Sequence, residues 1–543
     1  MPDLPLHYYR ENFLLLLETV ESQYGDLLSA QEQCFVDDYR RLPFDAQCLY
    51  VRLVSRVGPW FREQRLDYPE LGDLTLAVDA LLATGFAVQA EGLEPEELGR
   101  LSTRQELAMM FDLAAVGKGR QLESLSAHSP LFLLNALSAL DKGRVVAPDH
   151  LATVDLLQLL FFGNRRQGMT DFVLSDLGVA SYYPYKLDRS NRLFCGREQL
   201  EEYLACASQA DRWWDLQESD DLPGMEALAD ELVASPPQFE TSLRRWYRVC
   251  NRLARQLERQ ACNHRALALY ELSELHPARE RAARVLEQEG ELEQALALCR
   301  VIEDEPWCEE ELDAARRIAP RLLRKLEGTR QSRRRDSFDE IQLQLSRAEQ
   351  RVELLAGTAL TGRWQTVHYV ENLLFNGLFG LAFWEQIFAP LPGAFNNPFQ
   401  AAPADMYEQS FFSSRKEILK ARLRQLAKLD LALELPRLWR EYQGYQCRWV
   451  NWKYLGENLV REATHIIPRD HLLAIWGRML FDPGENRRGF PDLLALGEQP
   501  GDYRMIEVKG PGDTLQDSQR RWLRFFQQEG IPASVALVQW TDD

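Results

Sequence analysis

The stretch Gly489-Phe490-Pro491-Asp492-Leu493-Leu494-Ala495-Leu496, followed after a turn by Tyr503-Arg504-Met505-Ile506-Glu507-Val508-Lys509-Gly510, decides how the C-terminal part of this chain folds. Phe490 to Leu496 and Tyr503 to Val508 read as strands, and the intervening residues 497 to 502 hold Gly, Pro and Gly, the residues of a tight connection. Gln516 to Gln528 then carries Trp522, Phe525 and Phe526 at helical spacing, and Ser534 to Trp540 reads as a further strand. Strand, turn, strand, helix, strand predicts a small mixed sheet with helices packed on it and the last strand beside the first pair.

Strand side chains alternate, so Glu507 and Lys509 share one face while Ile506 and Val508 point to the other. A hairpin pairing brings Asp492 beside Glu507. Two carboxylates at that separation repel unless a cation neutralises them, and hard Mg2+ or Mn2+ prefers oxygen ligands. A lysine next to the pair can orient water or neutralise charge developing on a phosphoryl group. A Pro-Asp followed after 14 residues by Glu-x-Lys, on aligned strands with a helix behind them, therefore points to metal-dependent phosphodiester hydrolysis. An edge ion pair on a hairpin is the structural alternative.

A fourth acid lies upstream. Val367 to Phe388 reads as one helix, apolar on nearly every side, and Glu371 falls on its buried stripe one turn before Leu374 and Phe375. A carboxylate there is costly unless paired or metal-bound; capping of the helix start is the alternative.

Most of the first 345 residues read as helix. Between Tyr39 and Tyr68 arginines interleave with Tyr50, Trp60 and Phe61, the pattern of a nucleic-acid surface or of a helix with a basic outer face and an aromatic inner one. Residues 74 to 145 form a compact unit of short helices, in which Gly117-Lys118-Gly119-Arg120 reads as a flexible basic turn. A β-like island spans Phe172 to Tyr183. Arg265-Ala266-Leu267-Ala268-Leu269 and Gln294-Ala295-Leu296-Ala297-Leu298 repeat at an offset of 29, each placed at the close of a helix, as in an array of helical hairpins. Arg321 to Arg335 holds seven basic residues against Glu327 alone and is a candidate basic linker.

The chain has 543 residues and a formal charge of −19, which argues against binding nucleic acid or membrane by bulk charge and leaves local patches to do it. Nine scattered cysteines without a Cys-x-x-Cys pair suit a reduced compartment and exclude a zinc ribbon. The start, Met-Pro-Asp-Leu-Pro-Leu-His, lacks the basic and small-residue features of a signal peptide, and Asn372 to Trp384 is too short for a membrane span. A cytoplasmic protein with no membrane partner is expected, nucleoid-associated if the source is prokaryotic.

At Pro491-Asp492 and Glu507-Val508-Lys509 the sequence resembles the PD-(D/E)xK nucleases and, within them, the VRR-Nuc module. Glu371-Asn372 to Phe388, Phe395-Asn396-Asn397-Pro398-Phe399-Gln400-Ala401, Ser410 to Arg415 and Arg488-Gly489-Phe490-Pro491-Asp492 extend the likeness to the Fanconi-associated nuclease family. Tyr8-Tyr9-Arg10 and Leu49 to Leu53 look like that family's opening helices, and 74 to 145 is similar to its degenerate SAP-type domain. The resemblance implies a multidomain, mainly α fold with a C-terminal α/β, restriction-endonuclease-like nuclease domain. It divides the chain into an N-terminal helical DNA-binding region (1–73), a SAP-like domain (74–145), a TPR-like helical-repeat domain (146–345) and a VRR-Nuc domain (346–543).

By the same resemblance the activity is 5′-flap endonuclease and 5′-to-3′ exonuclease on branched or flapped DNA, in interstrand-crosslink repair, with Mg2+ or Mn2+. Glu371, Asp492, Glu507 and the Val508 carbonyl become metal ligands, Lys509 the catalytic lysine and Gln519 the motif glutamine. Arg487 and Arg488 flank the metal site and are candidate DNA contacts. Arg415 and Lys416 are weaker ones, because Ser414-Arg415-Lys416-Glu417 also reads as a capping box opening a helix. The zinc finger that binds ubiquitin in larger members is missing, so ubiquitin binding is not expected. A Holliday-junction resolvase and a non-catalytic helical-repeat scaffold are the competing readings.

Overall fold

The computed structural model describes residues 5–113, 117–169, 181–328 and 336–541. It contains two compact units: one formed by 1–181, 186–193 and 395–399, the other by 182–185, 194–394 and 400–543.

In the first unit, helix Ala30–Arg41 and helix Phe44–Val54 are joined by Leu42 and Pro43. Ser29 starts the first of them with a capping box, its hydroxyl taking the Glu32 amide while Glu32 caps back. Strands β1 (Phe61–Arg62), β2 (Ala87–Gln89) and β3 (Val145–Pro148) form one antiparallel sheet in the order β1-β3-β2. The boundaries expected at 73 and 145 thus separate strands that hydrogen-bond to one another. The Tyr39 to Tyr68 arginines divide: Arg40, Arg41, Arg56 and Arg65 are exposed, while Arg52 and Arg62 turn toward the interior. Arg52 lies 3.8 Å over the Tyr9 ring and pairs with Glu70 at 2.6 Å, and Arg62 is buried against Glu106 and Asp141. Gly117 to Arg120 is no free turn; Lys118 begins the helix Lys118–Leu125. Of the β-like island, 172–180 lies outside the described residues and Ser181–Tyr182 is a short strand.

The second unit opens with the helical array. Asn263–Leu272 and Ala278–Glu289 form one hairpin, Leu292–Asp304 and Glu309–Glu327 the next. The repeated Ala-Leu motif opens the first helix of each hairpin rather than closing one, and Ala266 and Ala295 are both 0% exposed where successive helices need a small residue to approach. The basic segment from Arg321 is not a linker as far as Glu327: it completes the last helix, and Arg321 and Lys325 both pair with Glu287. Residues 329–335 lie outside the described residues.

The C-terminal sheet has five strands, β4 (Glu340–Ser346), β5 (Thr366–Tyr369), β6 (Leu493–Leu496), β7 (Tyr503–Lys509) and β8 (Ala533–Thr541), in the order β4-β8-β7-β6-β5. Pairing is parallel between β7, β8 and β4 and antiparallel from β7 to β6 to β5. The expected hairpin and returning strand are present. The two outer strands are additions, and β4 places the start of the sheet at Glu340, ahead of the boundary expected at 346. Helix Val352–Leu360 covers one face through Ala356 and Leu360, packed on Leu493, Ile506, Val508 and Val538. On the other side Phe375, Phe490, Trp522 and Phe526 stack in series, with centroids 4.9, 4.1 and 5.2 Å apart. All four rings are at most 1% exposed, so this stack ties the helix after β5, the Pro-Asp turn and helix Asp517–Gln528 together.

The expected single helix from Val367 to Phe388 is corrected. Thr366–Tyr369 is strand β5, and helix begins only at Leu373, runs to Ala382, and resumes for Trp384–Ile387. The four β residues pair with Leu493–Leu496, a tertiary partner that the local apolar pattern does not reveal.

Candidate active site

Register places the carboxylates. Leu493 pairs with Ile506 across β6 and β7, so Asp492 stands opposite Glu507 one step further along the ladder. The Val508 amide donates to Asp492 Oδ2 at 2.9 Å, fixing the side chain over the end of β7. Glu507 is 1% exposed, and its Oε1 accepts from Lys509 Nζ at 2.9 Å and from Gln519 Nε2 at 2.5 Å. Lys509 therefore does share the face of Glu507. Gln519 is held in turn, its Oε1 accepting from the Gln516 amide at the start of helix Asp517–Gln528.

Glu371 reaches the site by a different local geometry from the one expected. It is not in a helical first turn: its φ is +37°, in the left-handed region that a glutamate rarely adopts. The amides of Val370 and Glu371 both donate to the Asp492 carbonyl, at 2.8 and 3.0 Å, and this forces the sharp turn from strand to helix. The turn holds Glu371 at a backbone strain of about 1–3 kcal/mol and sets it on the same cleft as Asp492. Tyr369 Oη donates to Glu371 Oε2 at 2.7 Å, and Asn372 Nδ2 to Glu371 Oε1 at 3.3 Å. Asn372 Oδ1 also accepts the Phe490 amide, so one residue braces both the turn and the Pro-Asp segment.

The electrostatics follow from burial. Desolvation raises the Asp492 carboxyl to about 6, with Glu353 and Glu371 adding repulsion against the opposing pull of the Val508 amide and Lys509. Glu507 is raised to about 8, first by burial and then by Asp492, although Lys509 acts in the opposite sense. Glu507 Oε2 is buried without a hydrogen-bond partner. Two buried carboxyls that resist ionisation, one of them with an orphaned oxygen, fit a hard divalent cation, which would supply the missing charge. Among the described residues no three His, Cys, Asp or Glu side chains enclose an ion as they stand. Tyr369 draws Glu371 to one side and Lys509 draws Glu507 to the other.

Glu371 and Asp492 border a cleft of about 640 Å³, and Glu507 and Lys509 lie behind its lining. Glu371, Asp492, Arg488 and Gln519 line one side; His276, Glu280, Glu310, Asp313 and Arg317, from the helical array, line the other. Reading the sequence missed that second wall, since nothing local in a helical repeat signals what its outer face confronts. His276 is half-buried, which disfavours its charge, yet the neighbouring Cys308 and Glu310, the latter 3.3 Å from Nε2, raise it to about 10. The array is bound to the surroundings of the C-terminal sheet by Glu309, which pairs with Arg478 at 2.8 Å, and by Arg521, which bridges Asp313 at 3.0 Å and Glu485 at 3.1 Å.

The candidate DNA contacts divide. Arg488 is exposed and lines the cleft, with its carbonyl fixed by Trp522 Nε1 at 2.9 Å. Arg487 instead lies 4.2 Å over the Tyr407 ring. Arg415 is unavailable to a phosphate: its side chain is 0% exposed, pairs with Asp405 at 2.7 Å and donates to the Gln386 carbonyl at 3.2 Å. The capping reading of Ser414 also fails, because the helix runs from Gln409 to Leu426 and Ser414 lies inside it. Lys416, one position on, is exposed and outside the cleft.

Comparison with known proteins adds the following. The VRR-NUC domain family model matches residues 429–540, and the model described as FAN1, HTH domain matches residues 7–88. The first begins after Glu371, so that residue's place in the site rests on geometry. Within the second, seven of the 11 residues of helix Phe44–Val54 are buried, which leaves it little surface to lay in a DNA groove. The Fanconi-associated nuclease 1 homolog of Pseudomonas aeruginosa is 36% identical over 99% of this chain and 96% of its own. That of Arabidopsis thaliana is 26% identical over 98% of this chain and 67% of its own. The crystal structure of paFAN1 bound to 2nt 5′ flap DNA with gap superposes with a TM-score of 0.84 at 35% identity, covering 100% of both chains.

Proposed function

The chain belongs to the Fanconi-associated nuclease family, and on that premise we propose that it is a structure-selective DNA nuclease that hydrolyses the 5′-bearing strand of flapped or branched DNA with Mg2+ or Mn2+. In this reading it has 5′-flap endonuclease and 5′-to-3′ exonuclease activity and serves interstrand-crosslink repair. The observation that carries it is the register that sets Asp492 opposite Glu507, with Lys509 Nζ 2.9 Å from Glu507 and Glu507 Oε2 left without a partner.

Glu371, Asp492, Glu507 and the Val508 carbonyl would hold the cation. When bound, the ion polarises the scissile phosphate and lowers the pKa of water. The chain's own residues do the rest. Lys509, 12% exposed, places an ammonium beside Glu507 and offsets charge developing on the phosphoryl oxygens. Gln519 restrains the rotamer of Glu507, and Tyr369 that of Glu371, so both carboxylates are oriented by hydrogen bonds from their neighbours. Arg488 and Arg317 are exposed guanidiniums lining the cleft, and Arg488, next to the Pro-Asp segment, is placed to take a neighbouring phosphate. Residues 1–73, the SAP-like 74–145 and the helical array from 146 would hold the DNA by backbone and shape. A cytoplasmic, nucleoid-associated site of action follows if the source is prokaryotic.

The test is cleavage of a labelled 5′-flap duplex beside 3′-flap and four-way-junction DNAs, with Mg2+, with Mn2+ and with EDTA. Preferential, metal-dependent cutting of the 5′ flap is expected. Preferential symmetric cutting of the four-way junction would refute the flap assignment.

A further inference from the structure

Helix Glu240–Arg259 belongs to the same unit as the cleft but contributes no residue to it. Its buried side is Ser242, Trp246, Val249, Cys250, Leu253 and Leu257. With 3.6 residues per turn, Arg244, Arg245, Arg248, Arg252, Arg255 and Arg259 fall within a single sector about 100° wide, on the side away from that core. The helix's own acids are Glu240 and Glu258. In a chain of net charge −19 this is a strongly cationic stripe, and it extends about 22 Å along the axis.

The stripe is only partly neutralised from within. Arg244 and Arg248 share Glu408, and Arg255 pairs at 2.6 Å with Glu258, which also pairs with Arg281. Arg245 is taken up by Tyr203, donating to its hydroxyl at 2.7 Å. Arg259 reaches only the side-chain oxygen of Gln256, at 3.4 Å. Arg252 is exposed and lies 5.1 Å over the ring of Trp214, itself 47% exposed. Neither Arg252 nor Arg259 has a carboxylate in ion-pair range among the described residues. A large half-exposed indole beside uncommitted guanidiniums on a cationic stripe is the pairing that unstacked bases and phosphates require: the aromatic face takes a base, the cations take the backbone. Duplex DNA would use the arginines but has no free base face for the indole.

We propose that this face of Glu240–Arg259, with Trp214, binds the unpaired strand of flapped DNA, Arg252 and Arg259 contacting phosphates and Trp214 stacking on a base. The proposal rests on the DNA-nuclease reading above. It is tested by fluorescence anisotropy in EDTA, with the full chain and two DNAs that differ only in having or lacking a long unpaired 5′ arm.

On the armed DNA, Arg252→Gln with Arg259→Gln should raise Kd about three- to tenfold and reduce the slope of log K against log salt by about 1.4, roughly 0.7 per lost single-strand phosphate contact. Arg252→Lys with Arg259→Lys keeps the charges and should restore the slope. Trp214→Ala should raise Kd about fivefold with the slope unchanged, since stacking releases no counterions. The unarmed DNA should be bound alike by all variants. Unchanged binding of the armed DNA by both the Gln pair and Trp214→Ala, or equal weakening on both DNAs, would overturn the proposal. If the wild type bound neither DNA, the nuclease reading would fall and this face with it; binding of both by wild type and variants alike removes this face alone.

Discussion

Replacing Glu507 by Gln should stabilise the metal-free protein at alkaline pH, even though it removes a proposed metal ligand. Glu507 is 1% exposed, and its carboxyl is raised from 4.5 to about 8 by burial and by Asp492. A carboxyl raised on folding binds its proton more tightly in the folded state. Its contribution to stability is therefore full below the unfolded value and is lost as pH rises through the folded one. At about 1.4 kcal/mol per pH unit, the wild type forfeits on the order of 4 kcal/mol between pH about 4.5 and pH about 8. Gln imitates the protonated side chain and has no such loss. Melting measured in EDTA should place Glu507→Gln above the wild type at pH about 8, by about 4–5 °C, and close to it at pH about 5. Divalent metal should stabilise the wild type far more than the variant, because only the carboxylate gains a counter-charge. A variant that melts below the wild type at pH about 8, or a gap that does not shrink on acidification, would refute the argument.

Arg415→Ala should cost about 3 kcal/mol through loss of its buried pair with Asp405, seen as a lower melting temperature. The salt dependence of DNA binding by the folded protein should not change. Gln519→Ala removes the donor to Glu507 Oε1, so kcat should fall about 10- to 100-fold with little change in KM. Single-turnover kinetics against metal concentration should show a weaker apparent metal affinity. Gly489→Ala meets two obstacles, a φ of +81° and a new Cβ 2.7 Å from the Ser518 backbone carbon. It should lower stability by about 1–3 kcal/mol and reduce cleavage, because Gly489 leads directly into Pro491 and Asp492. Denaturant titration and cleavage rate, measured on one preparation, check both.

The hairpin that carries Asp492, Glu507 and Lys509 is legible because its message is local and two-fold: alternation fixes which side chains share a face, and a charged residue on a buried strand is conspicuous. The cost of a carboxylate among Leu374, Phe375 and Leu378 points Glu371 to the site, but the apolar pattern implies a helical turn where the backbone takes a left-handed one. Thr366–Tyr369 is a four-residue strand whose partner lies more than 120 residues away at Leu493–Leu496. No helical periodicity in an adjacent apolar run can announce such a pairing. Strand β4 does alternate, with Ile341, Leu343 and Leu345 turned toward the core, yet it follows a run of arginines that dominated the reading of that region. Arg415 shows the converse: a basic residue in sequence, it is spent inside the fold on Asp405 and a backbone carbonyl. The second wall of the cleft, with His276 and Glu310, required the packing of the helical array against the nuclease sheet and had no sequence signal.

The most direct test compares wild type and Lys509→Ala on a labelled 5′-flap duplex, measuring cleavage in Mn2+ and binding in EDTA. The placement of Lys509 beside Glu507 predicts metal-dependent cutting by the wild type, a fall in the variant's rate of about 1000-fold or more, and flap affinity preserved within about threefold. Undiminished cleavage by a variant that binds as the wild type does would contradict the assignment of this cluster as the reaction centre.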